Sequence, residues 1–293
     1  KPHYQLVSLH GSWKRPGEVR PRSAPLAYIL MQGKAEEDYI SVFRELKSLV
    51  EDGGGSMKLK RVLVDFELAI WNAVHVVWGE TVKIRGCWFH FNQCIHRFVV
   101  HCGLGNIFRK HNLITKMIKR LMVLPLMDPM NIPPLFSLLK QRYHATINGD
   151  NTAVKDLFDY FESQWISGRF SPDTWSCFEC VIRTNNHVES WNGHVLRKAE
   201  RKGKNIYLLS ELLAKDAIVA MNDLDNYSNR YYIKKTQATR DALILAAYAR
   251  YKEHKKPWDA LESLRHATAK HCNWGNAQIN ESDNDETTES DSD

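Results

Sequence analysis

The sequence predicts an α/β protein: a mixed sheet flanked by helices and interrupted by a mainly helical insertion. Three observations carry that reading. Short apolar runs bounded by Gly and Pro alternate with segments of helical period in the first third of the chain, the pattern of strands separated by crossover helices. The run Val62-Leu63-Val64 is apolar at consecutive positions, which suits a strand buried on both faces. From about Gly105 to Cys180 the apolar residues keep three- and four-residue steps, so that stretch reads as helical.

Taken in order, Tyr4 to His10 and Pro25 to Met31 read as two strands joined by a polar, Arg-rich loop. Tyr39, Val42, Phe43, Leu46, Leu49 and Val50 then recur at helical spacing, and Gly53-Gly54-Gly55 closes that helix. Leu59 to Asp65 is the next strand. A helix follows with Ile70, Val74 and Val77 on one side and Gly79 as its stop. Val82 and Ile84, alternating with Lys83 and Arg85, predict a strand that delivers Cys87 and His90.

In the helical stretch, Leu113, Met117, Leu121 and Leu124 share a face. Pro125, Pro129, Pro133 and Pro134 break the chain, and Leu135 to Tyr143 resumes the helix. Val154, Leu157, Phe158, Phe161 and Trp165 continue the pattern. Further helices are predicted from near Asn185, from Ile206 to about Met221, and from Ala242 to Lys252.

Composition bounds the function. The 293 residues are 43% hydrophobic, ample for a packed core, and no apolar run approaches the roughly 18 residues that span a bilayer. The chain opens Lys1-Pro2-His3 with no signal-like stretch, and it reads as a fragment. The net charge of +6 hides an asymmetry, because Asn280 to Asp293 carries seven acids and no base. The body before it therefore has 40 bases against 27 acids, a balance that favours a polyanion partner or simple solubility. The tail reads as disordered, either a competitor for the basic face or a solubilising extension. The six cysteines follow no regular framework, which suits a reducing compartment.

Two acids stand out. Asp65 ends an apolar strand, at the edge where open α/β sheets place ligands. It is either a hard oxygen ligand for a divalent cation or a cap for the helix after it. Glu189 lies one residue off the apolar stripe Val188, Trp191, Val195 and Ala199, sharing its side with Asn185, Asn192 and Gly193. It is either a second ligand or an exposed helical acid. Cys87-x-x-His90 and Cys177-x-x-Cys180 are each half a zinc site, and without the tight second pair zinc is not expected. Arg197, Lys198, Arg201, Lys202 and Lys204 put five bases in eight residues, a DNA-phosphate track or a solvated face.

The strings carrying these residues resemble a known family. Val64-Asp65-Phe66-Glu67, Arg85-Gly86-Cys87-Trp88-Phe89-His90-Phe91-Asn92-Gln93 and Arg183-Thr184-Asn185-Asn186-His187-Val188-Glu189, with the strand from Pro25 to Lys34, are similar to segments of Mutator-like (MULE) transposases in the same order. The resemblance covers about residues 1–215. It implies a ribonuclease H-like fold and a DDE acid triad, with Asp65 and Glu189 as catalytic, Mg²⁺- or Mn²⁺-binding members and Cys87 and His90 as the C-x-x-H motif beside them. In the family the first Asp lies just upstream of the segment at which this chain opens, so that ligand is expected to be missing here.

By the same resemblance, residues 1–104 form the first part of the core and 105–180 a helical insertion. Residues 181–222 complete the core with the Glu helix. Beyond the resemblance, periodicity and charge alone predict a basic helical region over 223–279 and the acidic tail over 280–293. The implied chemistry is two-metal phosphoryl transfer on transposon ends, with cations about 3.5–4 Å apart. Implied partners are DNA and further copies of the chain, in the nucleus. Trp165 and Trp175 read as core residues or as stacking platforms for an unpaired base. The alternative function is a domesticated or decayed transposase that binds DNA without cutting it.

Overall fold

The computed structural model describes residues 5–13, 21–108, 113–146, 152–201, 205–225 and 235–269. Strands β1 (Gln5–Trp13) and β2 (Arg22–Met31) pair antiparallel from Gln5 opposite Met31 to Trp13 opposite Arg22, with a bulge at Leu9/His10. Helix α1 (Glu36–Asp52) follows, with three acids in its first turn where the helix dipole favours them. Strand β3 (Arg61–Val64), helix α2 (Leu68–Trp78) and strand β4 (Lys83–Gly86) form a β-α-β unit whose strands run parallel, Val64 opposite Gly86. Gly79 ends α2 at a φ of 84°, a backbone conformation that a side chain would strain. Gly86 is fixed by packing instead: a Cβ there would meet the Phe66 ring at 2.2 Å.

The expected single mixed sheet is not what the described residues show. They form two separate two-stranded sheets, β1-β2 and β3-β4. The strands nevertheless share one core. Val7, Leu9 and Ile29 of the hairpin and Val62 and Val64 of β3 all pack on the cluster built from Tyr39, Phe43, Trp71, Val74 and Ile84. The other hairpin face, Leu6 and Tyr28, meets Val195, Leu212 and Leu213. Both faces of the hairpin thus carry packed side chains, as strands covered on two sides do.

Helix α3 (Trp88–His101) leads into a stretch whose described elements are all helical: α4 (Gly105–Phe108), α5 (Leu113–Val123), α6 (Ile132–Thr146), α7 (Thr152–Phe161) and α8 (Pro172–Trp175). Pro133 and Pro134 do not interrupt α6 but lie in its first turn, where no backbone donor is needed. Helix α7 runs on into one π-helical turn, Glu162–Ile166. Trp165 and Trp175 are 1% and 0% exposed within a ring cluster of Phe66, Phe91, Phe161 and Phe170, so neither offers a face to a base.

The chain ends in α9 (Asn186–Arg201), α10 (Ile206–Asp225), α11 (Lys235–His254) and α12 (Pro257–Ala267). The last falls in the stretch 223–279 expected to be helical, and it is firmly seated. Leu261 and Leu264 enter the main core, and Glu262 pairs with Arg120 of α5 and, at 2.9 Å, with Arg265. The Trp258 ring takes the guanidinium of Arg142 at 4.0 Å. Lys202, Lys204, Cys272 and the acidic tail 280–293 lie outside the described residues, as does the side chain of Arg201.

Candidate metal and nucleic-acid site

The carboxyl ends of β3 and β4 lie side by side, and the Cys87 N–H donates to the Val64 carbonyl at 2.7 Å, carrying the ladder one residue past both strands. Asp65 and Cys87 therefore leave the same edge in neighbouring positions. Asp65 is half-buried; its Oδ1 accepts from the Glu67 N–H at 3.2 Å and its carbonyl accepts from the Trp71 indole at 2.7 Å. That is a turn rather than a helix cap, since Glu67 occupies the N-cap of α2. The Tyr39 hydroxyl donates to Glu67 at 2.9 Å and receives the Gln5 amide at 3.2 Å, so a chain of three side chains links β1 to the turn after β3. Burial pushes the Glu67 carboxyl up and the Asp65 charge adds to it, while the Tyr39 hydrogen bond and Lys34 work the other way.

The second acid reaches this edge from far along the chain. The Arg183 carbonyl accepts the Trp88 N–H at 3.0 Å, docking the connector before α9 onto the start of α3. The Cys87 thiol then donates to Asn185 Oδ1 at 3.0 Å, and His90 Nε2 lies 3.1 Å from Glu189 Oε1. Glu189 sits in the first turn of α9, where the helix dipole favours an anion. Its side chain is 36% exposed and that of His90 23%, so the pair is half-open to solvent. Burial opposes charge on the His90 ring, but hydrogen bonds to Cys87 and Glu189 outweigh it and carry the pKa up to about 10. One turn further along α3, burial pushes the Cys94 thiol up to about 11, opposed by Arg97 and aided by the Asp65 charge.

His90 and Glu189 thus meet beside Cys87, at the strand edge from which Asp65 also leaves, while no group of three His, Cys, Asp or Glu able to hold a metal ion occurs among the described residues. Residues 15–94 match the family model for the MULE transposase domain. Over those residues the chain is similar to a MULE transposase domain. The match spans Asp65, Cys87 and His90 and ends before Glu189. It points to transposase-type function and implies DNA as a partner. No curated protein and no solved structure matches the chain. No helix is long and apolar enough to cross a membrane among the described residues.

Of the basic track, Arg197 and Lys198 are exposed on α9, two turns beyond Glu189. The cysteines Cys177 and Cys180 are buried and free. Burial pushes the Cys177 thiol well up, helped by Cys180 and Cys87, so it behaves as an apolar group. Asp216 and Asp241 had no sequence signal. Asp216 Oδ2 accepts both the Tyr28 hydroxyl and the Trp191 indole at 2.7 Å, and Asp241 pairs with Arg183. Their partners lie 188, 25 and 58 residues away, beyond the reach of local spacing.

Proposed function

We propose that this chain carries out transposase-type DNA strand cleavage and transfer by metal-dependent phosphoryl transfer, with Asp65 and Glu189 as Mg²⁺ or Mn²⁺ ligands. The observation that supports it is the 3.1 Å contact between His90 and Glu189, which brings the α9 acid to the sheet edge where Asp65 follows β3. The donor set suits a hard cation: two carboxylates, half-buried, with water able to reach them. A divalent ion bound there supplies charge to the phosphate oxygens and activates a water or 3′-hydroxyl. His90 holds the Glu189 carboxylate in place, and Cys87 holds Asn185 and with it the first turn of α9. Arg197 and Lys198 would contact the phosphates flanking the cleavage point.

The finer fold belongs to the same reading. β1 and β3 have no second strand partner among the described residues, yet both line one core and are tied through Gln5, Tyr39 and Glu67. We read the two pairs as halves of one ribonuclease H-like sheet, in which a strand seated between β1 and β3 would bring a further Asp beside Asp65. The protein would act in the nucleus, as a multimer that pairs DNA ends. In an amino-terminally extended protein, transposon-end DNA should be nicked with Mg²⁺ or Mn²⁺, and Glu189→Gln should abolish nicking while DNA binding persists. Unchanged nicking in that variant would refute the assignment.

A second reading rests on the basic balance of the body and the exposed Arg197 and Lys198. In it the chain is a domesticated or decayed transposase that binds DNA in the nucleus without cutting. Binding would then fall steeply with salt, and no extended form would cleave.

A further inference from the structure

Helix α11 lies along the connector that delivers Glu189, and it does so with one face. Asp241 pairs with the guanidinium of Arg183, the two side chains being 15% and 9% exposed. Two turns on, the Tyr248 ring meets Phe178 edge-on at 4.9 Å, and Tyr251 meets the same ring at 6.1 Å. Lys252 pairs with Glu179, which holds a φ of 56°. Positions 241, 248, 251 and 252 fall on one side of a 3.6-residue helix. Every one of them touches the stretch from Phe178 to Arg183.

That stretch has no regular structure of its own to hold it. Arg183 anchors it by three separate groups: one guanidinium nitrogen donates to the Cys180 carbonyl at 3.0 Å, another pairs with Asp241, and the backbone carbonyl accepts the Trp88 N–H at 3.0 Å. Two residues later Asn185 receives the Cys87 thiol, and its carbonyl accepts the first N–H bonds of the Glu189 turn, from Val188 at 2.7 Å and Glu189 at 3.1 Å. The path from α11 to the acid is therefore continuous: Asp241, Arg183, the Asn185 carbonyl, Glu189. A planar guanidinium suits this role because its donors form a rigid fork, and a Lys would supply one point contact in place of two.

We propose that Asp241 is a positioning residue: through Arg183 it fixes the connector that sets Glu189 against His90. Helix α11 is thus part of the site's framework although it lies outside the matched segment. This role presupposes Glu189 as the metal-binding acid, but its physical content, a clamp on residues 178–189, does not depend on DNA chemistry.

The test reads the clamp directly. Cys87 is 0% exposed and tied to Asn185, so N-ethylmaleimide reaches it only when the connector opens. Cys102, at the far end of the same helix and partly exposed, serves as internal reference. In the full chain, Asp241→Asn should raise the labelling rate of Cys87, mapped by mass spectrometry, about tenfold relative to Cys102, equivalent to about 1.4 kcal/mol of opening free energy. An unchanged ratio, or a rise shared by Cys102, would overturn the proposal and leave Asp241 a plain stabilising residue. If Asp241→Asn does not fold, Tyr248→Leu removes the ring contact with Phe178 while leaving the buried pair, and the same rise in ratio is expected. Because no DNA enters this assay, its failure is separable from that of the cleavage reading, which Glu189→Gln decides.

Discussion

Helix α9 lies between two histidines that titrate in opposite directions. On one side His90 meets Glu189 and Cys87, and its pKa rises to about 10. On the other side His10 of β1 lies edge-on to the rings of His187 and Trp191, at 5.7 and 5.6 Å, and burial with the nearby His187 lowers its pKa to about 4, with Asp216 opposing. Burial acts on both rings in the same sense. What differs is whether an acceptor touches the ring, and that contrast separates the two jobs of α9. Its outer side is held by charge at a half-open edge, where a cation can replace an imidazolium. Its inner side is held by packing: Trp191 stacks on Tyr28 at 4.7 Å with the planes 2° apart, and both donate to Asp216.

The largest effect that breaks the comparison should come from Glu189→Gln. Metal-dependent nicking by the extended protein should fall to background, and the His90 resonance should titrate well below its value of about 10, nearer the ordinary histidine range, while His10 keeps its low value. Next, Trp191→Ala removes the stacked ring on the packed side and should cost about 3 kcal/mol in denaturant unfolding, leaving His90 unshifted.

The stability profile with pH sharpens the contrast further. His90 has a folded pKa above its unfolded value, so its contribution is complete below about pH 6.5 and is lost as pH rises through about 10. His10 has a folded value below its unfolded one, so its contribution is complete above about pH 6.5 and is lost as pH falls toward about 4. His10→Phe should flatten the acid limb alone, and Glu189→Gln the alkaline limb alone, both read by thermal melts across pH. The smallest effect belongs to the exposed bases. Arg197→Gln with Lys198→Gln should lower the salt slope of DNA binding by about 2, with both histidines unmoved.

Most of this arrangement was legible where its cause is local. The β-α-β unit follows from Val62-Leu63-Val64, the α2 stripe and the Gly79 stop. Asp65, Cys87 and His90 follow from the strand ends that carry them. The contact of Glu189 with the edge came from resemblance, because nothing in the spacing of residues 183–192 says which surface the helix will meet. Helix α12 lies within the stretch 223–279 expected to be helical, but its bounds were not read; it opens at Pro257, since a proline in the first turn starts a helix readily. Asp216 and Asp241 were invisible for a different reason. A buried acid has no local signature when its partners come from strands and connectors far away in sequence. The single expected sheet divides into two pairs, since alternation predicts strands but not which edges bond.

The most direct test of a metal site at the His90 edge is paramagnetic broadening of the histidine ring protons by Mn²⁺ in this chain. Bound at Asp65 and Glu189, the ion should broaden His90 at the lowest additions and leave His10, across α9, sharp. Glu189→Gln should remove the effect. Equal broadening of both histidines, or none at His90, would contradict the assignment of the acid pair as metal ligands.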